Sequence, residues 1–309
     1  MNLEQLRGFV EVARLGHFTR ASESLHLAQP SLSRQISTLE RELGAELFHR
    51  ARGHIALTAA GETLLPRAQR MLAEADAIRD EMGELAGLRR GRVRLGAPPT
   101  LCISLVAEAL SLFHSAHPGV DLHLTESGSR LLVEQLAVGA VDIALITEST
   151  AQSVPGVSLT RTPLLAEELV VVSPAAQPPL TDGAAIELGH LATLPLIAFD
   201  DSYSLRAATD TAFAAAGLVP TMVLEGAEMD AVLRFVERGV GVAVVPAMVL
   251  LDRPELRSVR LAHPSMTRTI SLAHRSDVTP ALAVAAMRHA IMSTAAEVAR
   301  RDPAITSLL

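Results

Sequence analysis

Eight residues between positions 61 and 85 set the terms for this chain. Gly61, Leu64, Ala68, Met71, Ala75, Ile78, Met82 and Leu85 fall at intervals of 3, 4, 3, 4, 3, 4 and 3. That heptad spacing predicts one long helix, N-capped by Thr58 and ending near Leu88, with a second helix laid along the seam. A lone helix of this length is marginal beside a small domain, so pairing with a second copy of the chain is expected. Packing on the chain's own domains is the alternative way to cover the stripe. Pro66 lies in the early turns, where a kink is expected.

The sequence ahead of this helix reads as three helices and a hairpin. Leu3, Leu6, Phe9, Val10 and Ala13 share one face and Gly16 ends the run. A short second helix is expected next, with Thr19 as its N-cap and Ala21 and Leu25 turned inward. A third follows Ala28, with Pro30 in its first turn and a buried stripe of Leu32, Ile36, Leu39 and Leu43. The opposite face of this third helix carries Ser31, Ser33, Arg34, Gln35, Ser37 and Thr38. Short hydrogen-bonding side chains around one arginine suit base edges in a major groove, although an ordinary solvated face has the same composition. Two helices joined by a tight turn, the second with such a face, match a helix-turn-helix. After Gly44, residues 47–58 read as a hairpin with Gly53 near its tip, where Arg50 and Arg52 are placed to meet phosphates.

Behind the long helix the period changes. Arg89-Arg90-Gly91-Arg92 marks a hinge, and from Val93 apolar strands alternate with helices. Strands are expected at 92–97, 120–124, 143–147, 169–172, 196–199, 223–225 and 242–245, in a mostly parallel sheet folded into two lobes. Open sheets of this kind hold ligands at the carboxyl ends of their strands. The positions there are Pro99, Thr100, Ser127, Ser129, Thr147, Phe199, Ser202 and Tyr203. Each Ser or Thr among them is equally suited to capping a helix or a turn. Glu148, Asp200, Asp201 and Glu228 are expected near the same rim, which disfavours a polyanionic ligand.

Composition removes several classes of function. The chain has 309 residues, 49% hydrophobic and 20% charged, which is globular and long enough for two or three domains. All 27 basic residues are arginine, so Schiff-base chemistry and the phosphate-loop lysine are excluded. Cys102 is the only cysteine, so no internal disulfide or Cys-rich zinc site can form. A buried inert thiol is its plain reading, a ligand contact or oxidation sensor the other. His114 and His117 lack an acidic or cysteine partner at metal-binding spacing. Gly239-Val240-Gly241 lacks the rest of a dinucleotide fingerprint, and no Gly-x-Ser-x-Gly elbow occurs. No catalytic set, metal site or cofactor is expected. The net charge of −7 divides into +2 over residues 1–94 and −9 over 95–309, so the acidity lies outside the part that would meet DNA. No apolar run approaches the ~18 residues of a membrane span, and MNLEQLRGFVEV lacks the order of a signal peptide. A cytoplasmic protein with no membrane partner is expected.

The stretch FTRASESLHLAQPSLSRQISTLERELGAELFHR resembles the N-terminal winged helix-turn-helix of LysR-type transcriptional regulators, and LTAAGETLLPRA resembles the start of that family's linker helix. Ser22 stands where many members have Ala. VDLHLTESGSRLLVEQLAVGAVDIALI and MDAVLRFVERGVGVAVVP are similar to its effector domain, a periplasmic-binding-protein-like pair of lobes. The resemblance implies an α/β fold with an N-terminal all-α winged helix-turn-helix domain at 1–58 and a long linker and dimerisation helix at 59–89. A two-lobed Rossmann-like effector-binding domain at 90–309 would follow, lobe one being 90–161 and 268–309 and lobe two 162–267, with crossings near Arg161 and Arg268. By the same resemblance Gln29, Pro30, Ser31, Ser33 and Arg34 are the DNA readers and Arg50 and Arg52 the backbone clamps. The implied partners are double-stranded DNA at an interrupted palindromic operator, a small-molecule effector in the cleft, and RNA polymerase where the regulator activates. A second copy would pair through Leu64, Ala68, Met71, Ala75, Ile78 and Met82, often as a dimer of dimers. The competing class is a solute-binding or enzymatic α/β protein with an incidental helical head. It would need a secretion signal or a nucleophile–base pair, and neither is found.

Overall fold

The computed structural model describes residues 1–51, 54–84, 91–148, 157–200 and 204–309. Its first helix, α1 (Leu3–Leu15), starts on a reciprocal cap. The Asn2 side chain accepts the Gln5 amide at 2.9 Å and the Gln5 side chain accepts the Asn2 amide at 2.8 Å. α1 ends at Gly16 in the left-handed region, φ +67°. α2 (Phe18–Ser24) has His17 at its N-cap, so Thr19, expected there, already lies inside the first turn. The Phe18 ring meets Phe48 edge-on at 6.0 Å, which draws the helix start forward onto the core. α3 (Gln29–Leu43) has Ala28 at its N-cap and Pro30 as its second residue. Leu32, Ile36 and Leu39 are fully buried, but Leu43 is 43% exposed, against expectation, because the helix outlasts the core beneath it. A hairpin of β1 (Phe48–Ala51) and β2 (His54–Leu57) completes the head. Arg52 and Gly53 at its tip lie outside the described residues.

The long helix is α4 (Ala59–Glu84), with Pro66 inside it. The Thr58 hydroxyl accepts the Gly61 amide at 3.1 Å and donates to the Glu46 carbonyl at 2.6 Å, capping the helix and tying it to the hairpin. A Cβ on Gly61 would stand 2.3 Å from the Leu47 carbonyl oxygen, so only glycine lets α4 lie this close. The seam is consequently split, which corrects its reading as one continuous dimer stripe. Ala68 is completely buried in the head's own core and Leu64 packs against that core, whereas Met71, Ile78 and Met82 are exposed. Ala75 is half-buried, and Leu85 lies outside the described residues. The head needs the first turns of α4 to close its core, so the later turns are what remains for a partner. Asp76 of α4 also joins Arg7 of α1 at 3.1 Å and Arg79 at 2.6 Å.

Two α/β lobes follow. The first holds β3 (Gly91–Ala97), α5 (Pro99–Ala116), β4 (Val120–Glu126), α6 (Ser129–Val138) and β5 (Ile143–Glu148), with β4 and β5 both parallel to β3. α5 includes a π-helical stretch at Cys102–Val106. It is 18 residues long with a mean hydropathy of 1.3, so one apolar run does reach the length of a membrane span, contrary to the sequence reading. Its buried residues Leu101, Leu105, Ala109 and Phe113 recur at helical spacing and pack into the lobe, the pattern of a core helix.

The strand β6 (Leu159–Pro174) runs through both lobes. Lobe two then comprises β7 (Ala185–Ile186), α7 (Leu188–Thr193), β8 (Leu196–Phe199), α8 (Ser204–Ala215), β9 (Met222–Ala227), α9 (Met229–Glu237), β10 (Ala243–Pro246) and β11 (Leu256–Leu261). β12 (Thr267–Arg275), α10 (Leu282–Val298) and β13 (Ile305–Ser307) return to lobe one. β6 pairs antiparallel with β12 from Leu159 to Glu168, and with β10 and β11 from Leu169 to Pro174. The outward crossing is therefore at Glu168–Leu169 and not near Arg161, which pairs with Ala273 inside lobe one. An unbroken strand gives no sequence mark of where it changes sheets. The antiparallel hinge strands also make the sheet mixed rather than mostly parallel. α4 rests on lobe one where Gly139, at φ +73°, faces Ala73; a Cβ on Gly139 would lie 2.5 Å from that of Ala73.

The close approach at Gly61 is testable. Gly61→Ala is expected to cost about 1–3 kcal/mol by overpacking against the hairpin, read as a lower melting temperature of the full chain in calorimetry. An unchanged transition would mean that α4 can shift away from Leu47.

Candidate DNA-binding face and ligand cleft

Three buried leucine and isoleucine positions fix how α3 is turned. With Leu32, Ile36 and Leu39 in the core, Gln29, Pro30, Ser31, Arg34 and Ser37 are exposed and Ser33 is half-buried. Among the described residues no carboxylate lies within 4.0 Å of the Arg34 guanidinium, so its donors face outward without a counter-ion. Gln35 turns toward Gly8, where its Oε1 is buried, so that oxygen is withdrawn from the polar face. Arg50 sits opposite Ile55 in the hairpin. Its side chain, and all of Arg52, lie outside the described residues.

A second polar cluster gathers at the carboxyl ends of the lobe-one strands. Ala97 and Glu126, the last residues of β3 and β4, are register partners, which places Pro99, Thr100 and Ser127 on one edge. The Ser127 amide donates to the Ala97 carbonyl at 3.1 Å. Ser129 opens α6 beside the end of β5. Its Oγ accepts the Thr147 amide at 2.9 Å and shares a hydroxyl–hydroxyl bond of 3.0 Å with Thr147. Five of the eight residues expected at the cleft thus share one sheet edge. Phe199 does not join them. Its side chain is buried in the lobe-two core, because β8 is covered on both faces, and its carbonyl accepts from Arg206 at 3.3 Å. Ser202 and Tyr203 lie outside the described residues.

Thr100 departs from its expected role as a helix cap. Pro98 holds the N-cap of α5, and Thr100 is buried with its hydroxyl accepting from Arg268 Nη1 at 3.0 Å. The same arginine meets Glu167 across β12 and β6 at 2.6 Å, and the Glu167 side chain has no accessible surface. The other Glu167 oxygen accepts the Met248 amide at 3.1 Å, from the turn after β10 in lobe two. Glu167 and Met248 escaped the sequence reading, and Arg268 entered it only as a crossing point. A signal was present: Glu167 and Glu168 interrupt the apolar strand LLAEELVVVS, and an acid inside such a strand needs a buried partner.

Cys102 lies two residues beyond Thr100. Burial, helped by the Glu126 carboxylate, pushes its thiol up to about 12. It therefore stays a protonated thiol at neutral pH and lacks the thiolate that oxidation chemistry requires.

A winged helical head, carried by a long helix on a two-lobed cleft domain, defines a ligand-responsive DNA-binding regulator. Residues 3–62 match the bacterial regulatory helix-turn-helix protein, lysR family, and residues 86–296 match the LysR substrate binding domain. The uncharacterized HTH-type transcriptional regulator YybE of Bacillus subtilis is 33% identical over 273 residues, covering 88% of this chain and 92% of that protein. A full-length OxyR variant from Pseudomonas aeruginosa shares the fold with a TM-score of 0.70 at 26% identity, over 97% of each chain. Full-length CbnR complexed with its target DNA has a TM-score of 0.65 at 24% identity, over 97% of this chain and 100% of that one. The chain belongs to the LysR family of transcriptional regulators and is not an enzyme.

The buried ion pair yields a prediction about stability. Glu167→Gln alone is expected to cost about 3–5 kcal/mol in urea unfolding of the full chain, because it strands the Arg268 charge. The double variant Glu167→Leu with Arg268→Met should lose less than that. A double variant as unstable as the single would show that packing, not charge pairing, holds the crossing.

Proposed function

We propose that this regulator reads an interrupted palindromic operator through Gln29, Pro30, Ser31, Ser33 and Arg34, with Arg50 and Arg52 clamping the backbone beside each recognition helix. The carrying observation is α3, whose apolar stripe is buried while its amino-terminal polar face stays exposed around an arginine with no described counter-ion. Side chains of this kind at the start of a recognition helix suit base edges in a major groove. Two half-sites require two heads. The exposed Met71, Ile78 and Met82 on α4 support pairing with a second copy through the later turns of that helix, and a dimer of dimers would extend it. The protein would act in the cytoplasm, and contact with RNA polymerase follows only where it activates.

The effector is a small polar molecule held where Pro99, Thr100, Ser127, Ser129 and Thr147 meet. Hydroxyls dominate the described side of this cleft, which suits a ligand that both donates and accepts hydrogen bonds. The mechanism is linkage: a ligand that prefers one lobe angle shifts the placement of the heads. The path runs through the hinge strands to lobe one and from Gly139 to Ala73 on α4.

Two measurements test this reading. Arg34→Ala should cost about 1–3 kcal/mol at the operator and much less on random DNA; equal losses would make Arg34 a phosphate contact. Met71→Glu combined with Ile78→Glu should abolish the dimer in sedimentation and, with it, binding to a two-half-site operator. An intact dimer would place the interface elsewhere.

A further inference from the structure

A pocket of about 370 Å³ opens on lobe two beside the hinge, away from the cleft. Its size is at the lower end for small-ligand sites, which run roughly 300–1,000 Å³. Side chains alternate across a strand. Glu167 pairs with Arg268 on one side of β6, while its neighbour Glu168 turns to the other and pairs with Arg260 at 2.6 Å. Arg260, Val170 and Ser173 line the pocket, so it lies beside the lobe-two end of β6.

Two charges at this pocket are left over. Arg257 of β11 donates to the carbonyls of Ala175 at 3.0 Å and Gln177 at 3.1 Å, which aim its guanidinium without neutralising it. Asp302, in the segment after α10, is steadied by the Ala304 amide at 2.8 Å. Among the described residues neither has an opposite charge within 4.0 Å, and they do not reach each other although both line the same space. Leu180, Val259 and Pro303 add apolar wall. Half-buried charges held in place without partners favour an occupant that brings both signs.

We propose that this pocket is a second ligand site, taking a zwitterionic α-amino acid with an apolar side chain. Its carboxylate meets Arg257, its ammonium meets Asp302, and its side chain lies along Leu180, Val259 and Pro303. The two charged walls belong to different lobes. Arg257 is in the lobe-two sheet, whereas Asp302 leads into β13, which pairs with β6 at Leu165–Glu167 on the lobe-one side. A ligand bridging them fixes the lobe angle from outside the cleft, and linkage makes it alter the affinity of whatever the cleft binds. The site does not rest on the cleft assignment.

The test is calorimetric titration of the full chain with L-leucine, L-valine and L-methionine, with 4-methylpentanoate and 3-methylbutylamine as one-charge controls. At least one amino acid is expected to bind, with both controls at least tenfold weaker. Arg257→Gln and Asp302→Asn should each weaken binding at least tenfold. Asn at position 302 keeps an acceptor for the Ala304 amide, so D302N decides the matter if R257Q unfolds. The proposal is overturned if none of the three amino acids binds or if binding survives D302N. Binding that survives D302N would put the amino acid elsewhere, the cleft included, and leave the proposed function standing.

Discussion

The Glu167 carboxylate, with no accessible surface, is held by Arg268 at the crossing of the two lobes, and the geometry of the effector domain hangs on that pair. Taking two charges out of water is expensive, and only close geometry with further hydrogen bonds offsets it. The fold supplies both. Strand register sets Glu167 opposite Arg268, the second carboxylate oxygen takes the Met248 amide, and a further guanidinium donor takes the Thr100 hydroxyl. One ion pair thus ties together two hinge strands, the first turn of α5 in lobe one and the turn after β10 in lobe two. Thr100 stands at the edge where a cleft ligand would sit. A ligand that competes for its hydroxyl acts directly on the residue that pins the hinge.

The α4 helix carries the other dependence. Its first turns belong to the head, through Gly61 against Leu47 and Ala68 in the core, and its middle touches lobe one through Ala73 and Gly139. Met71, Ile78 and Met82 are left over as an exposed apolar face. These contacts lie along one rod with a rise of about 1.5 Å per residue, so a tilt imposed at one is transmitted to the others. The Arg7–Asp76 pair braces α1 against the same rod, which makes the head and α4 one body. On the proposed mechanism, what the lobes do to α4 they do to the recognition helix.

Much of the exposed polar face of α3 was legible in the sequence because it depends on neighbours within one or two turns. Leu32, Ile36 and Leu39 define a buried side, and Ser31, Arg34 and Ser37 then face away from it, while Gln35 turns back toward Gly8. The Thr58 cap and the tight turn before Gln29 are equally local. The cleft was legible only in part. Strand ends could be counted off the alternation, and Pro99, Ser127, Ser129 and Thr147 do share an edge, but Phe199 failed because an apolar residue at a strand end can face either solvent or core. The seam misled for a related reason. Heptad spacing states that a stripe must be covered and is silent on what covers it, so Ala68 went to the head rather than to a partner.

By itself, then, the sequence determined the period of each segment, hence three helices, a hairpin, one long helix and a run of alternating strands and helices. It also carried the motif that assigns the family. Tertiary structure alone decided where β6 changes sheets, how α4 divides its faces and what Thr100 bonds to. The decisive contacts join residues 81, 101 and 168 positions apart, Met248 with Glu167, Arg268 with Glu167, and Arg268 with Thr100. Periodicity is set by contacts a few residues away and is written into the order of side chains. Which buried acid meets which buried arginine depends on how whole sheets register against each other, and no local spacing encodes that.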